Sequence, residues 1–151
     1  MNVSIDVRGG SVGWDAAAIE QLSLFTLRHM GVPEGCELSV SLVGEEEIRE
    51  LNRTWRGIDA PTDVLSFECE SPWEARSDDA PVEVGDVVIC PDVVDAQRAR
   101  FGTSFTQEAS LMLVHSILHL LGYDHVQEEQ AEAMEAKEKE ILDSYGLTGI
   151  R

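Results

Sequence analysis

Basic side chains are scarce in this sequence. Only 11 of its 151 residues are lysine or arginine, against 29 aspartates and glutamates, which gives a formal net charge of −18. Proteins that bind nucleic acid over a broad surface depend on basic residues, because neutralised phosphates release their counterions. The sequence therefore excludes such a surface, and any contact with a phosphate backbone must be local. The acidic residues concentrate in 45–50, 78–86 and 128–143, which predicts solvated faces.

Long apolar runs are also missing. The longest, such as 111–114, hold four residues, far fewer than the roughly 20 that a membrane-spanning helix needs. The first residues lack the basic and apolar regions of a secretory signal, so we expect a cytoplasmic location and no membrane partner. The three cysteines are an odd number without close pairing, which favours reduced thiols over disulfides.

One domain covering residues 1–151 is the simplest interpretation of the length, since domains hold roughly 100–200 residues. The apolar fraction of 43% is sufficient for a core. Apolar alternation predicts strands near 3–7, 38–42, 64–67 and 85–90, and helical spacing predicts helices that begin near 19, 45, 91, 104 and 128. The predicted order is β-α-β-α-β-β-α-α-α. The fourth helix is apolar nearly all round over 111–121 and should be buried.

That helix also carries the clearest chemical motif, which is His115, His119 and His125. His115 and His119 are four positions apart, so one face of the helix presents both rings. Gly122 can end the helix in the left-handed conformation and let His125 reach the same point. Three neutral imidazoles around one Zn²⁺ per chain leave an open position for water, as in catalytic zinc sites, and nickel or another divalent metal suits the same ligands. His29, the remaining histidine, lies in an earlier helix and is given no metal role.

Two other interpretations bear on this motif. A single histidine on an apolar helix is usually a satisfied core residue, but three imidazoles in one short segment need shared polar partners. The spacing also matches the H-E-x-x-H-x-x-G-x-x-H of metzincin peptidases, except that Ser116 stands in the position of their glutamate base. Serine does not take up a proton at neutral pH, so the sequence favours a metal site without a peptidase base. Asp124 fits two roles equally, either orienting a histidine or closing a turn.

The densest basic cluster is Arg49, Arg53 and Arg56, near the end of the second helix. Arg49 and Arg53 are predicted to pair with the glutamates at 45, 46 and 50 on the same helix. Arg56 lies at the helix end, from which its guanidinium could reach a cleft and bind a phosphate through two hydrogen bonds, so it is the candidate catalytic residue. Thr62 and Asp63 are predicted to fasten the following loop by side-chain to backbone hydrogen bonds.

The segments 51–67 and 115–125 together resemble the YbeY family, the bacterial single-strand-specific endoribonucleases and rRNA maturation factors. The family patterns L-N-x-x-y-R-g-x-d-x-p-T-D-V-L-S-F and H-G-x-L-H-L-x-G-y-D-H both occur here in that order, with Ser116 in place of the usual glycine. The strand at 85–89 and the total length agree as well. The resemblance therefore covers nearly the whole chain.

The resemblance implies an α+β fold, in which a mixed four-stranded sheet packs with about five helices and a zincin-like metal helix lies at the centre. It implies that His115, His119 and His125 bind zinc and that Arg56 matches the arginine implicated in cleavage. The implied function is a zinc-dependent, single-strand-specific endoribonuclease that acts in maturation of the 3′ end of 16S rRNA and in ribosome quality control. The implied partners are single-stranded rRNA and the small ribosomal subunit with its proteins, and not DNA.

Two questions stay open on the sequence alone. The attacking nucleophile is either water or the ribose 2′-hydroxyl. The competing function is a non-catalytic ribosome-assembly factor with a structural metal, which the net charge of −18 favours because it repels bare RNA and suits a basic ribosomal protein. Metal removal distinguishes the nuclease from the assembly factor, since a protein with a structural metal unfolds without its ion.

Overall fold

A computed structural model describes residues 1–74, 80–124 and 126–147, in which four strands and five helices follow the predicted order. They are β1 (Asn2–Val7), α1 (Ala16–His29), β2 (Cys36–Leu42), α2 (Glu45–Arg56), β3 (Val64–Glu68), β4 (Val82–Ile89), α3 (Pro91–Arg98), α4 (Phe105–Leu120) and α5 (Glu128–Tyr145). Only small differences in the bounds separate prediction and structure. None of the helices in these ranges is both long and apolar enough to cross a membrane.

The strands form one mixed sheet in the order β1-β2-β4-β3. β1 and β4 each pair with β2 in parallel, whereas β3 runs antiparallel to β4 at the edge of the sheet. Parallel neighbours need a crossover connection, which α1 supplies between β1 and β2. The fold class expected from the resemblance, a mixed four-stranded sheet packed with five helices, is therefore confirmed.

The two faces of the sheet carry different helices. Val87 and Ile89 of β4 belong to the larger core, which also takes in α1, α4 and α5. Leu65 and Val88 belong to a smaller core with Ile48 of α2. Because side chains alternate along a strand, neighbouring residues of one strand reach opposite faces of the sheet. α4 and α2 therefore lie on opposite sides of the sheet.

α4 is the most buried helix of the larger core. It begins with a capping box, in which the Gln107 N–H donates to Ser104 Oγ at 3.1 Å and the Ser104 N–H donates to Gln107 Oε1 at 2.9 Å. Its burial confirms the prediction made from 111–121. Ser116 is fully buried, and its Oγ lies 2.5 Å from Ser66 Oγ on β3. The hydroxyl of Ser116 therefore faces the sheet.

Gly85 allows α4 to approach the sheet closely. Its φ of +153° is one that side chains with a Cβ rarely adopt, and a Cβ there would lie 2.3 Å from the Phe67 carbonyl oxygen and 2.9 Å from Leu120 Cδ2. A glycine inside a strand commonly marks such an approach. At this point β3, β4 and α4 all meet around a residue that can only be glycine.

The three cysteines are free thiols, as predicted. Cys36 and Cys90 are 1% and 0% exposed, whereas Cys69, just beyond β3, is exposed. Burial raises the pKa of the Cys36 and Cys90 thiols above the ordinary value, because removal from water disfavours the thiolate. These two cysteines act as small apolar core residues.

Candidate metal centre

His115 and His119 lie one turn apart on α4, as their spacing predicts. Their ring centroids are 5.7 Å apart, and the ring planes are nearly perpendicular at 87°. Both residues are partly exposed, although most of α4 is buried. The pair therefore opens toward solvent from a helix whose other faces are largely covered.

Glu138 of α5 contacts the first of these rings. Its Oε1 lies 2.5 Å from His115 Nδ1, and the side chain of Glu138 is only 10% exposed. A carboxylate only accepts hydrogen bonds, so the ring donates from Nδ1, and in the neutral form of the ring the lone pair is then on Nε2. Histidines that bind metals commonly donate their second ring nitrogen to a carboxylate in this way.

Sequence reasoning missed Glu138, because the charges of 128–143 were interpreted as a solvated face. A signal was present in the spacing of α5. Glu138 lies four residues after Met134 and three before Ile141, and all three are buried. An acidic residue at an apolar position of an amphipathic helix indicates a specific buried partner, and His115 is that partner here.

Gly122 ends the histidine helix with a sharp change of direction. Its φ is +106°, and the N–H of Tyr123 donates to the Leu118 carbonyl at 3.0 Å. This positive φ confirms the prediction that Gly122 turns the chain at this point. His125, the third predicted ligand, lies outside the described residues, so its ligand role stays a prediction. Asp124 Oδ1 accepts the Val126 N–H at 3.2 Å, which fits its role in a turn, and its role in orienting a histidine stays untested.

The donor set on α4 fits a zinc ion. Two imidazoles at i and i+4 share one helix face, and Glu138 contacts Nδ1 of His115, which leaves Nε2 of a neutral ring to bind a metal. No three histidine, cysteine, aspartate or glutamate side chains converge within residues 1–74, 80–124 and 126–147. The described part therefore holds two of the three predicted ligands.

A groove of about 930 Å³ runs between α4 and α5, with His115 and Glu138 in its wall. Its lining combines apolar and charged side chains. The apolar ones include Leu111, Met112 and Leu142, and the charged ones include Glu135, Lys139 and Asp143. His115, but not His119, lines this groove, together with Glu138, its partner at Nδ1.

Arg56 is the exposed last residue of α2, which Gly57 ends with a φ of +73°. Arg53 pairs with the glutamate three residues before it, as predicted. The predicted pairing of Arg49 with glutamates of its own helix is wrong, because the loop after α2 folds back and brings Asp59 to 2.8 Å from Arg49 Nε. Among the described residues, Arg56 forms no hydrogen bond or ion pair. Its guanidinium is therefore available to an anion from outside.

The structure does not bring Arg56 into contact with the histidine pair. α2 and α4 lie on opposite faces of the sheet, and the edge strand β3 separates them. β3 contacts both helices, because Phe67 packs against the Trp55 ring at 6.0 Å between centroids and Ser66 contacts Ser116, next to His115. β3 is therefore the element that connects the end of α2 with the histidine helix.

Two polar side chains fasten the loop between α2 and β3. Asp63 Oδ1 accepts the following backbone N–H at 2.8 Å, which confirms the prediction for Asp63, and its Oδ2 accepts from Gln97 Nε2 at 3.0 Å. The Thr62 hydroxyl donates to the Asp63 carboxylate at 3.3 Å and so has a side-chain partner. Asn52, which is 2% exposed, donates from Nδ2 to the Ala60 carbonyl at 2.8 Å. Asn52 shares the buried face of α2 with Ile48, four positions before it, so helical spacing alone does not reveal this role.

Comparisons with known proteins agree on one family. The family model described as Endoribonuclease YbeY matches residues 14–146. The chain is 43% identical over 155 residues to the Endoribonuclease YbeY of Bacillus velezensis, covering 98% of this chain and 99% of that protein. It is 47% identical over 134 residues to that of Geobacillus thermodenitrificans, covering 86% of each. It is also similar to the solution structure of a Thermotoga maritima protein, with a TM-score of 0.60, 26% identity and coverage of 95% of this chain and 91% of that one.

Proposed function

The chain belongs to the Endoribonuclease YbeY family, and from this membership we propose that it is a zinc-dependent endoribonuclease specific for single-stranded RNA. Its cellular role in this proposal is maturation of the 3′ end of 16S rRNA and ribosome quality control, carried out in the cytoplasm. Its partners are then single-stranded rRNA and the small ribosomal subunit.

The observation that carries the proposal is the pair of partly exposed imidazoles on an otherwise buried helix. His115 and His119 share one face of α4, and the buried Glu138 contacts Nδ1 of His115. A histidine placed only for packing has no need to be partly exposed at a groove, as His115 is. This arrangement supports a bound metal that solutes can reach.

In the proposed mechanism, His115, His119 and His125 would hold the zinc ion, which would supply Lewis-acid chemistry for the phosphodiester. Arg56 binds the phosphodiester through its guanidinium and offsets the negative charge that develops as the P–O bond breaks. Ser116 takes no part in proton transfer, because it is buried and its hydroxyl contacts Ser66. The nucleophile is water or the ribose 2′-hydroxyl.

The test is cleavage of a labelled RNA that carries a single-stranded 3′ tail. Wild type should cut it, whereas His119→Ala and a chelated wild-type sample should not, with circular dichroism unchanged in both. His29→Ala is the matched control, because His29 pairs with Glu140 away from the site and its loss should leave cleavage intact. A 2′,3′-cyclic phosphate at the product end identifies attack by the ribose hydroxyl, and its absence identifies water.

A non-catalytic assembly factor with a structural metal is the second candidate, favoured by the net charge of −18. Such a charge suits docking on a basic ribosomal protein better than binding free RNA. This candidate gains if purified wild type, with zinc bound, leaves the labelled RNA intact. It gains further if chelation unfolds the protein, because a structural ion contributes directly to folding.

A further inference from the structure

We infer that Glu138 is a positioning residue for metal binding, acting through His115. The inference rests on the proposed metal centre and goes beyond it, because it assigns a role to a residue outside the predicted ligands. Glu138 would hold the imidazole of His115 in one orientation and in one tautomer.

The contact between Glu138 and His115 is short and largely shielded from solvent. Glu138 Oε1 lies 2.5 Å from His115 Nδ1, and the exposed fractions of the two side chains are 10% and 28%. α4 and α5 pack against each other at this point, so the carboxylate comes from one helix and the ring from the other. Met134 and Ile141, on the same side of α5, are 1% and 0% exposed and limit the movement of Glu138.

The chemistry of imidazole gives this contact its consequence. A neutral imidazole carries its proton on one nitrogen and a lone pair on the other, and only the nitrogen with the lone pair binds a metal. A carboxylate at Nδ1 keeps the proton there and leaves the lone pair of Nε2 to bind the metal. The same hydrogen bond sets the rotation of the ring. Removing it should weaken metal binding even if the protein folds normally.

A second histidine–glutamate pair on α5 provides the comparison. His29 Nε2 lies 2.6 Å from Glu140 Oε2, but Glu140 is 49% exposed and also binds Lys137. This pair joins α1 to α5 and involves none of the predicted ligands. A purely structural role for Glu138 would make the two pairs equivalent in any measurement of metal binding.

The experiment compares Glu138→Met, Glu138→Gln and Glu140→Met with wild type. Methionine keeps the length of the side chain and favours helix but accepts no strong hydrogen bond, whereas glutamine keeps an acceptor oxygen. Zinc affinity is measured by competition with a chromogenic chelator. We expect Glu138→Met to weaken zinc binding about 10–100-fold, Glu138→Gln to recover most of that loss, and Glu140→Met to match wild type. Long-range ¹H–¹⁵N spectra of the zinc-free proteins should show the Nδ1–H tautomer of His115 in wild type and Glu138→Gln but not in Glu138→Met.

Unchanged zinc affinity in both Glu138 variants, or equal losses at Glu138 and Glu140, would overturn the inference. If Glu138→Met does not fold, the tautomer in wild type decides, and an Nε2–H tautomer there overturns the inference. The proposed function fails separately. If wild type binds zinc but cuts no RNA, the nuclease proposal is contradicted and the role of Glu138 is unaffected. If wild type binds no zinc, both the nuclease proposal and the inference about Glu138 are contradicted.

Discussion

Arg56 differs from its two basic neighbours on α2 in having no acidic partner among the described residues. Arg49 and Arg53 are neutralised by Asp59 and Glu50, and these contacts raise the pKa of both guanidinium groups. Arg56 is therefore the arginine of α2 at which a phosphate does not have to displace a carboxylate of the protein.

Arg56→Ala should therefore lower the rate of RNA cleavage about 100-fold, as expected when one donor to developing negative charge is lost. Single-turnover cleavage of the labelled RNA measures this rate. Arg53→Ala is the control and should leave the rate unchanged, because the guanidinium of Arg53 already forms an ion pair with Glu50. Full cleavage by Arg56→Ala would remove Arg56 from the mechanism.

Asp92 carries a pH-dependent part of the stability. Its carboxylate accepts the Val12 N–H at 2.9 Å and the Ser11 N–H at 3.0 Å, and these bonds hold the pKa of Asp92 below its ordinary value. Asp92→Asn should lose about 1–2 kcal/mol of unfolding free energy at pH 7, since its amide cannot repeat the charged contacts. Because the folded-state pKa is lowered, the difference is complete above about pH 4 and disappears as the pH falls through the lower folded value.

Urea unfolding of wild type and Asp92→Asn between pH 7 and pH 3 measures this dependence. Asp95→Asn, which removes an exposed pair with Arg98, is the control and should change stability by less than about 0.5 kcal/mol. A difference for Asp92→Asn that stays constant down to pH 3 would contradict the assignment.

The predictability of single residues depended on whether their partners were local. The spacing of His115 and His119 predicts a shared face, because four residues span about one helical turn. Glu138 and His115 are 23 positions apart, and no helical period connects them. Arg49 found Asp59 across a loop for the same reason. Contacts between elements decide these partners, and those contacts arise only once the chain has folded.

At the scale of elements, order and type followed from the sequence, but several boundaries shifted, and the start of β4 shows why. β4 begins at Val82 and not at the predicted residue 85, because Val82 pairs with Cys36 of β2 and its N–H donates to the Gly35 carbonyl at 3.0 Å. The apolar pattern of β4 can be followed back only as far as Gly85, so the sequence alone predicts that the strand begins there. Pairing with a distant strand extends β4 beyond the pattern.

The approach of α4 to the sheet at Gly85 predicts a sharp response to substitution. Gly85→Ala would place a Cβ 2.3 Å from the Phe67 carbonyl oxygen, so β3 and α4 must move apart. We expect a loss of about 2–4 kcal/mol from overpacking and backbone strain together. Gly13→Ala is the control, because no heavy atom lies within 4 Å of a Cβ there. Denaturant unfolding measures both variants, and similar stabilities would contradict this account.

At the scale of the whole molecule, the net charge of −18 shapes the encounter with RNA. The protein and its proposed substrate repel each other over distances longer than any single contact. Salt screens this repulsion, since the Debye length falls to about 8 Å at physiological ionic strength. Salt also screens the attraction between Arg56 and a phosphate. Arg56 carries only one positive charge, however, whereas the net charge of the chain is −18.

Cleavage of a short free RNA should therefore become faster, in kcat/KM, as monovalent salt rises from about 50 to 200 mM. Nucleases with basic surfaces lose affinity over that range. Initial rates at subsaturating RNA measure the trend, and circular dichroism at each salt concentration confirms that the fold is unchanged. A steep decline with salt would point to a basic surface that the composition does not predict.

The distribution of the cysteines makes the protein convenient to label. Cys69 is exposed, whereas Cys36 and Cys90 are buried with raised thiol pKa values, so a maleimide dye should react with one thiol in the native protein and with all three after denaturation. The dye would then sit just beyond β3, the strand whose Ser66 contacts α4 beside His115. Fluorescence from that single position can report substrate binding at the edge of the sheet in the wild-type sequence, without any engineered cysteine.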